Sequence, residues 1–214
     1  GRSACPALEL LSGTTALVAT SLTLRDVTVS ACSPYSPQAE VIRTRNGQLV
    51  VEDSVLALEG TGLVADGTVV TLAGSELYPT ASTVDFHGIE VYSTDKNGSL
   101  TLRDSVLHDF ALGADASGGA VDFVSGGGML VERSEFYGDT AGEGAALLME
   151  SAAALTVRDS VFRDNGTSTE RGSVVDFTVN GSNVGTVEVT GTHFVENYGG
   201  DGAALTVAAG PGGS

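Results

Sequence analysis

One eight-residue pattern recurs along this 214-residue chain and constrains its fold more than any other feature. Its clearest copies read Leu-Thr-Leu-Arg-Asp-Ser-Val-Leu from Leu100 and Leu-Thr-Val-Arg-Asp-Ser-Val-Phe from Leu155. The copies begin at Leu22, Leu49, Val70, Leu100, Met129, Leu155 and Val187. A repeat of roughly 20–32 residues is typical of a solenoid, in which no unit buries its apolar face alone and neighbours must stack.

Each repeat divides into short strands. In the copy from Leu155, alternating apolar residues put one side of a first strand inward, because successive side chains of a strand point to opposite faces. Ser160 and Phe162 alternate again, but with the opposite parity. The chain is therefore predicted to bend at Arg158-Asp159 between two strands.

A third strand is predicted before each pair. These strands are expected at Ala7–Leu11, Ala39–Arg43, Leu63–Ala65, Val84–Phe86, Ala120–Val124, Ala145–Met149, Val174–Val179 and Ala203–Val207. Three short strands per turn give an all-β parallel coil of about seven to eight rungs, spaced about 4.8 Å apart. We expect one domain over residues 1–209 and a flexible tail over 210–214.

The repeat also predicts columns of stacked side chains. An apolar inward column comprises Val29, Leu56, Leu77, Leu107, Phe136, Phe162 and Phe194. A column rich in hydroxyls, which can hydrogen-bond along the stack, comprises Val27, Ser54, Ser75, Ser105, Ser134, Ser160 and Thr192. An outward column, with alternating charges at 103, 132 and 158, comprises Arg25, Glu52, Ala73, Arg103, Glu132, Arg158 and Thr190.

Charge and hydropathy limit the partners. The chain carries 10 Lys plus Arg against 27 Asp plus Glu, a net charge of −17. Nucleic acid is an unfavourable partner for such a chain, because phosphate binding requires basic patches. No apolar stretch reaches the ~18 residues of a membrane span.

The two cysteines, Cys5 and Cys32, are expected one rung apart. That separation in a parallel coil is compatible with the Cα spacing of a disulfide. A bridge would indicate an exported protein, and two buried free thiols are the alternative.

An acidic outward column is the main candidate site. It is expected to contain Glu9, Glu40, Val64, Asp85, Asp122, Leu148, Asp176 and Thr206. Like charges one strand spacing apart are unfavourable unless something offsets them. Three interpretations stay open: calcium bound by Asp85 and Asp122, a paired-carboxylate glycosidase using Asp85, Asp122 or Asp176, or solvated acids. The three histidines fall in different columns and predict no metal site.

Two short motifs carry a family resemblance. Gly118-Gly119-Ala120-Val121 and its copies from Gly144 and Gly202 resemble the Gly-Gly-Ala-Ile motif of polymorphic outer-membrane protein repeats. Phe162-Arg-Asp-Asn165 and the copy from Phe194 resemble that family's Phe-x-x-Asn motif. The resemblance covers roughly residues 118–207; Glu59, Thr80 and Phe110 stand at the equivalent places upstream. It implies a right-handed parallel β-helix at the bacterial surface, within the broader pectate-lyase-like group.

We therefore expect an extracellular or bacterial cell-surface module, part of a longer chain, that acts as a rigid stalk or adhesive binding element without catalysis. A glycan or a surface protein is the expected partner, and no cofactor is expected apart from the calcium alternative. The competing hypothesis is a carbohydrate-active enzyme, a polysaccharide hydrolase or lyase that uses the acidic column.

Overall fold

The computed structural model describes residues 8–10, 20–29, 41–58, 60–80, 86–93, 98–124, 127–150, 152–167, 172–179, 185–200 and 204–209. In chain order the strands are β1 (Leu8–Leu10), β2 (Thr20–Arg25), β3 (Thr28–Val29), β4 (Ile42–Arg45), β5 (Gly47–Glu52), β6 (Val55–Leu58), β7 (Leu63–Asp66), β8 (Val69–Ala73), β9 (Glu76–Pro79), β10 (Ile89–Tyr92), β11 (Ser99–Arg103), β12 (Val106–His108), β13 (Val121–Val124), β14 (Gly128–Glu132), β15 (Glu135–Tyr137), β16 (Thr140–Ala141), β17 (Leu147–Glu150), β18 (Ala154–Arg158), β19 (Val161–Arg163), β20 (Gly166–Thr167), β21 (Val175–Val179), β22 (Thr186–Thr190), β23 (His193–Val195) and β24 (Leu205–Ala209). The described residues contain no helix.

The strands form three long parallel sheets. Sheet 1 has the order β1-β4-β7-β10-β13-β17-β21-β24, and sheet 2 has the order β2-β5-β8-β11-β14-β18-β22. Sheet 3 has the order β3-β6-β9-β12-β15-β19-β23, and β16 pairs with β20 in a small fourth sheet. The chain visits the three sheets in turn, so each circuit adds one strand to each sheet. The predicted all-β, right-handed parallel β-helix is confirmed.

The predicted apolar column is confirmed in register. Val29, Leu56, Leu77, Leu107, Phe136, Phe162 and Phe194 are successive Cα partners along sheet 3. The rings of Phe136 and Phe162 stack with centroids 4.9 Å apart, and those of Phe162 and Phe194 with centroids 5.0 Å apart. The spacing between parallel strands, about 4.8 Å, matches the distance between the centroids of two stacked rings, so identical aromatic side chains pack directly on one another.

A hydroxyl ladder follows the corner between sheets 2 and 3. The backbone N–H of Ser75 donates to Oγ of Ser105 at 3.3 Å, and the N–H of Ser105 donates to Oγ of Ser134 at 3.3 Å. Each hydroxyl in turn donates within its own rung; that of Ser105, for example, donates to the carbonyl of Arg103 at 2.7 Å. The buried N–H groups of this corner are therefore paired between rungs, as buried polar groups require.

The same corner needs an unusual backbone conformation. Asp159 has a φ of 49°, and the equivalent residues Asp26, Asp53, Asp104 and Arg133 have φ values from 47° to 54°. Asp tolerates this left-handed region better than most residues, which explains the repeated Asp-Ser pair. The predicted bend at Arg158-Asp159 is confirmed at Asp159.

The glycine pair of the Gly-Gly-Ala motif has two separate roles. Gly118 has a φ of 73°, a conformation that glycine adopts without strain. A Cβ on Gly119 would lie 1.9 Å from the carbonyl oxygen of Ala145. The second glycine is therefore required by the close approach of the next rung.

The outward charged column is in the predicted register, but its ion pairs differ in part. Arg25 contacts Glu52, and Nε of Arg103 lies 3.2 Å from Glu132. The alternating charges predicted that Arg158 pairs with Glu132. Instead, Arg158 lies 3.2 Å from Glu188 of the next rung. These pairs are exposed and each contributes about 0–1 kcal/mol.

Two predicted strands of sheet 1 were wrongly placed. The strand predicted at Ala39–Arg43 is β4 (Ile42–Arg45), and the one predicted at Val84–Phe86 is β10 (Ile89–Tyr92). Val84-Asp-Phe86 repeats the tripeptide found in β13, so a period-two pattern fits there equally well. The backbone decides otherwise, because the N–H of Ile89 donates to the carbonyl of Ala120 and Gly88 takes the place next to Ala120.

Several sequence predictions fall outside the described residues. These are the disulfide between Cys5 and Cys32, the side chain of Asp85, and the tail over residues 210–214. They stay predictions.

Candidate functional site on the outer side of sheet 1

The outer side of sheet 1 carries the column that the sequence pointed to, with two changes of residue. In strand register it contains Arg43, Val64, Glu90, Asp122, Leu148, Asp176 and Thr206, and the backbone of Glu9 pairs with that of Arg43. Arg43 takes the position predicted for Glu40, and Glu90 takes the position predicted for Asp85. The predicted Asp85–Asp122 neighbours are therefore replaced by Glu90 and Asp122.

Asp122 is the most constrained acid in this column. Its Oδ2 lies 3.8 Å from Nε2 of His87, and its side chain is 18 % exposed. Its buried Oδ1 has no hydrogen-bond partner in the part of the chain that the structure describes. The Nδ1 of His87 lies 2.5 Å from the carbonyl oxygen of Gly118, which fixes the ring by accepting an N–H bond from it.

This environment changes the acidity of Asp122. Burial raises the pKa of Asp122 to about 6; His87 opposes this shift, whereas the charges of Glu90 and Glu150 add to it. A carboxyl group with such a pKa changes between its neutral and charged forms near neutral pH, whereas a solvated aspartate is already fully charged there. The side chain can therefore accept or donate a proton, and it can respond to pH.

Asp176 lies two rungs from Asp122, with Leu148 between them. Burial raises the pKa of Asp176, whereas a hydrogen bond from Thr178 at 3.2 Å lowers it. Leu148 is only 6 % exposed. An apolar side chain thus separates the two acids, and the structure does not bring them together as adjacent carboxylates.

The other half of this outer side carries arginines as well as acids. The guanidinium of Arg43 donates to the hydroxyl of Tyr92 at 3.1 Å, across the rung that holds Val64. Arg45 lies 3.6 Å from Asp66. The face therefore changes along the coil axis from an arginine–tyrosine region to a carboxylate–histidine region.

Sequence reasoning missed His87, Glu90 and Tyr92 as parts of this face. Ile89 and Val91 are fully buried and alternate with Glu90 and Tyr92, so the strand signal was present. The number of residues before the next sheet 2 strand could have identified β10. In most rungs the sheet 1 strand ends closer to the following sheet 2 strand than Val84–Phe86 ends to Ser99.

A second ordered surface feature lies on sheet 3. The ring of His108 is stacked between Tyr78 and Tyr137, with centroids 5.1 Å and 4.5 Å away, and Arg163 lies 4.1 Å over the ring of Tyr137. Glu76 lies 3.1 Å from Nε2 of His108. Both faces of the His108 and Tyr137 rings are therefore covered within the protein.

Within the described ranges, no three His, Cys, Asp or Glu side chains lie close enough together to hold a metal ion. Calcium on Asp85 and Asp122 stays a prediction, because Asp85 is outside those ranges.

Comparisons with known proteins return no match to any family model, curated protein or solved structure. Within the described residues, no helix is long and apolar enough to cross a membrane.

Proposed function

We propose that this chain is an extracellular or cell-surface β-helix that acts as a rigid structural or adhesive binding module without catalysis. One observation carries the proposal: three parallel sheets run through every described rung, held by continuous apolar and hydroxyl columns. Each rung rests on its neighbours in such a solenoid, which gives a stiff rod with long ordered faces.

The binding face in this proposal is the outer side of sheet 1. Arg43 with Tyr92 offers hydrogen-bond donors and an aromatic ring. Glu90, on the same strand as Tyr92, and Asp122, on the next rung, offer acceptors. A glycan or a surface protein with hydroxyl or amide groups would match this mixture, because ring stacking and planar hydrogen bonding recognise such groups.

The family resemblance supports the proposed location. Among polymorphic outer-membrane protein repeats, the Gly-Gly-Ala-Ile and Phe-x-x-Asn motifs lie on surface-exposed β-helices. Gly119 and Asn165 occupy these motif positions here, with the close rung contact and the corner hydrogen bonds that the structure gives them. Membership of that family or of the pectate-lyase-like group is part of the proposal.

Binding to a glycan array and to a panel of cell-surface proteins, with and without millimolar calcium, tests the proposal. Tyr92→Ala and Asp122→Asn should weaken any binding found, and Asp115→Asn, an exposed acid outside sheet 1, is the matched control. Absence of binding to every glycan and protein would contradict the adhesive role. Equal loss in all three variants would contradict the assignment of the face.

A carbohydrate-active enzyme is the second candidate, and the titration of Asp122 near neutral pH beside His87 favours it. The burial of Leu148 between Asp122 and Asp176 opposes a paired-carboxylate mechanism. Incubation with acidic and neutral polysaccharides should release no oligosaccharides. Cleavage that Asp122→Asn abolishes and Asp115→Asn retains would establish the enzyme instead.

A further inference from the structure

An amide ladder follows the corner at the end of sheet 3. The backbone N–H of Asn165 donates to Oδ1 of Asn197 at 3.0 Å. The side-chain NH2 of Asn197 donates to the carbonyl of Phe162 at 2.8 Å, and that of Asn165 donates to the carbonyl of Phe136 at 3.0 Å. Each asparagine thus accepts one bond from the preceding rung and donates one bond to it.

Asp139 stands one rung earlier at the same position. Its N–H donates to Oδ1 of Asn165 at 2.9 Å, and its own Oδ1 accepts the N–H of Phe110 at 3.0 Å. The residue is 0 % exposed. Like the two asparagines, Asp139 therefore accepts a backbone N–H bond from the preceding rung through its Oδ1.

The donating half is what a carboxylate lacks. Among the described residues, Oδ2 of Asp139 is buried without a hydrogen-bond partner. An asparagine here would place its NH2 at this atom, directed at the carbonyl one rung back, which by column register belongs to Leu107. Two oxygen acceptors that meet in a buried corner repel, and a buried unpaired carboxylate is costly.

We propose that folded Asp139 is a neutral carboxylic acid whose Oδ2–H donates to the carbonyl of Leu107, so that this corner is stabilised by acid and weakened by base. The proton replaces the amide hydrogen of the asparagines in the next two rungs. The aspartate thereby makes one rung of an otherwise pH-independent ladder sensitive to pH.

The electrostatic surroundings agree with this protonation. Burial raises the pKa of Asp139 well above its usual value, the N–H of Phe110 opposes that rise, and the charge of Asp109 adds to it. The other charged and titratable groups at this corner are His108, Tyr137, Arg163 and Asp164. The guanidinium of Arg163 pairs with Glu135 and Asp164 and lies over the ring of Tyr137. No cation is among the causes of the pKa shift of Asp139.

The sign of the pH dependence follows from linkage. The folded state binds this proton more tightly than the unfolded state, so the contribution of Asp139 is complete below the pKa of an unfolded aspartate, about 3.9. It is lost as the pH rises through the folded pKa. Other carboxylates also titrate, and a comparison with one isosteric variant isolates Asp139.

Asp139→Asn is that variant, because it completes the ladder without a proton. Thermal unfolding of the wild type and the variant should give the same Tm at pH 4, and a Tm that is about 4–8 °C higher for the variant at pH 8. Asn165→Asp should show the opposite change, a Tm loss that grows with pH. Asp115→Asn, at an exposed acid, should leave the difference from wild type independent of pH.

Infrared spectroscopy gives a readout that does not depend on unfolding. At neutral pH, the difference spectrum between the wild type and Asp139→Asn should contain a protonated-carboxyl C=O band, and the difference spectrum between the wild type and Asp115→Asn should not. A Tm difference that is constant with pH, or the absence of that band from the first difference spectrum, would overturn the proposal.

Discussion

Removal of the Phe162 ring tests the stacked interior of the coil. Phe162 is 0 % exposed and lies between Phe136 and Phe194, with ring centroids 4.9 Å and 5.0 Å away. The interplanar angles are 4° and 10°, so the ring contacts both neighbours over its faces. Phe162→Ala therefore removes two stacking contacts and leaves a cavity that rigid strands on both sides cannot close.

The expected loss follows from that geometry. A buried Phe→Ala change costs about 3–5 kcal/mol of unfolding free energy, and the packing on both faces places this site in the upper part of the range. For a chain of this size, each kcal/mol lowers Tm by about 2–4 °C. Phe162→Ala should therefore lower Tm by roughly 8–20 °C, measured by circular dichroism. Phe162→Leu should cost less than Phe162→Ala because it leaves a smaller cavity, and Leu107 shows that the column accepts a leucine.

Phe194→Ala is the matched control. It removes the same side chain from the same column, but Phe194 is only partly buried and stacks on one described ring, that of Phe162. Its loss should be about half that of Phe162→Ala. Equal losses for the two variants, or an unchanged Tm for Phe162→Ala, would refute the assigned rung register.

Three further perturbations test other parts of the structure. Ser105→Ala should lower the free energy of unfolding by about 1–3 kcal/mol, because the buried N–H of Ser75 loses its acceptor. Thr192→Ala should cost less, because its hydrogen bond from the N–H of Ser160 is longer, at 3.5 Å, and only partly buried. Urea unfolding measures both losses. Since the pKa of Asp122 is raised to about 6, its contribution to stability should fall as the pH rises from about 4 through 6. Asp122→Asn should remove that fall and raise the free energy of unfolding at pH 8 by on the order of 2 kcal/mol, measured by urea unfolding. A pH profile of the variant that runs parallel to that of the wild type would contradict this. If Cys5 and Cys32 are bridged, thiol labelling under denaturing, non-reducing conditions should find none free, and two labelled thiols would refute the bridge.

The repeat allowed most of the fold to be predicted. Each copy contains the apolar, hydroxyl and outward positions at fixed offsets, so the register of Phe162, Ser160 and Arg158 against neighbouring rungs followed directly from alignment of the copies. The bend at Asp159 was also predictable, because the parity of the apolar residues changes there.

The strands of sheet 1 were harder to place because they lie outside the recurring phrase. Alternation over three or four residues fits Val84–Phe86 and Ile89–Tyr92 equally, and only the spacing to the next sheet 2 strand favours Ile89–Tyr92. The tight contact of Gly88 with the next rung chose between them, and no single-chain pattern encodes that contact. The acidic site was therefore only half predicted, with Asp122 correctly placed and Glu90 missed.

Asp139 was missed for a different reason. Phe136-Tyr-Gly-Asp139 matches the Phe-x-x-Asn motif except for one atom, and the sequence gives no sign that the position is fully buried. Only the pairing of Phe110, Asp139 and Asn165 shows that the acid substitutes for an amide.

The central claim is that the described rungs form one rigid rod, and a distance along sheet 3 tests it most directly. Thr28 and His193 are exposed and stand in one column, six rung steps apart. Spin labels on genetically encoded ketone side chains at these positions leave Cys5 and Cys32 untouched. Double electron–electron resonance should give one narrow distribution centred near 29 Å plus the label offset, at about 4.8 Å per step. A broad distribution, or a maximum that differs from this by more than two rungs, would contradict the rigid coil.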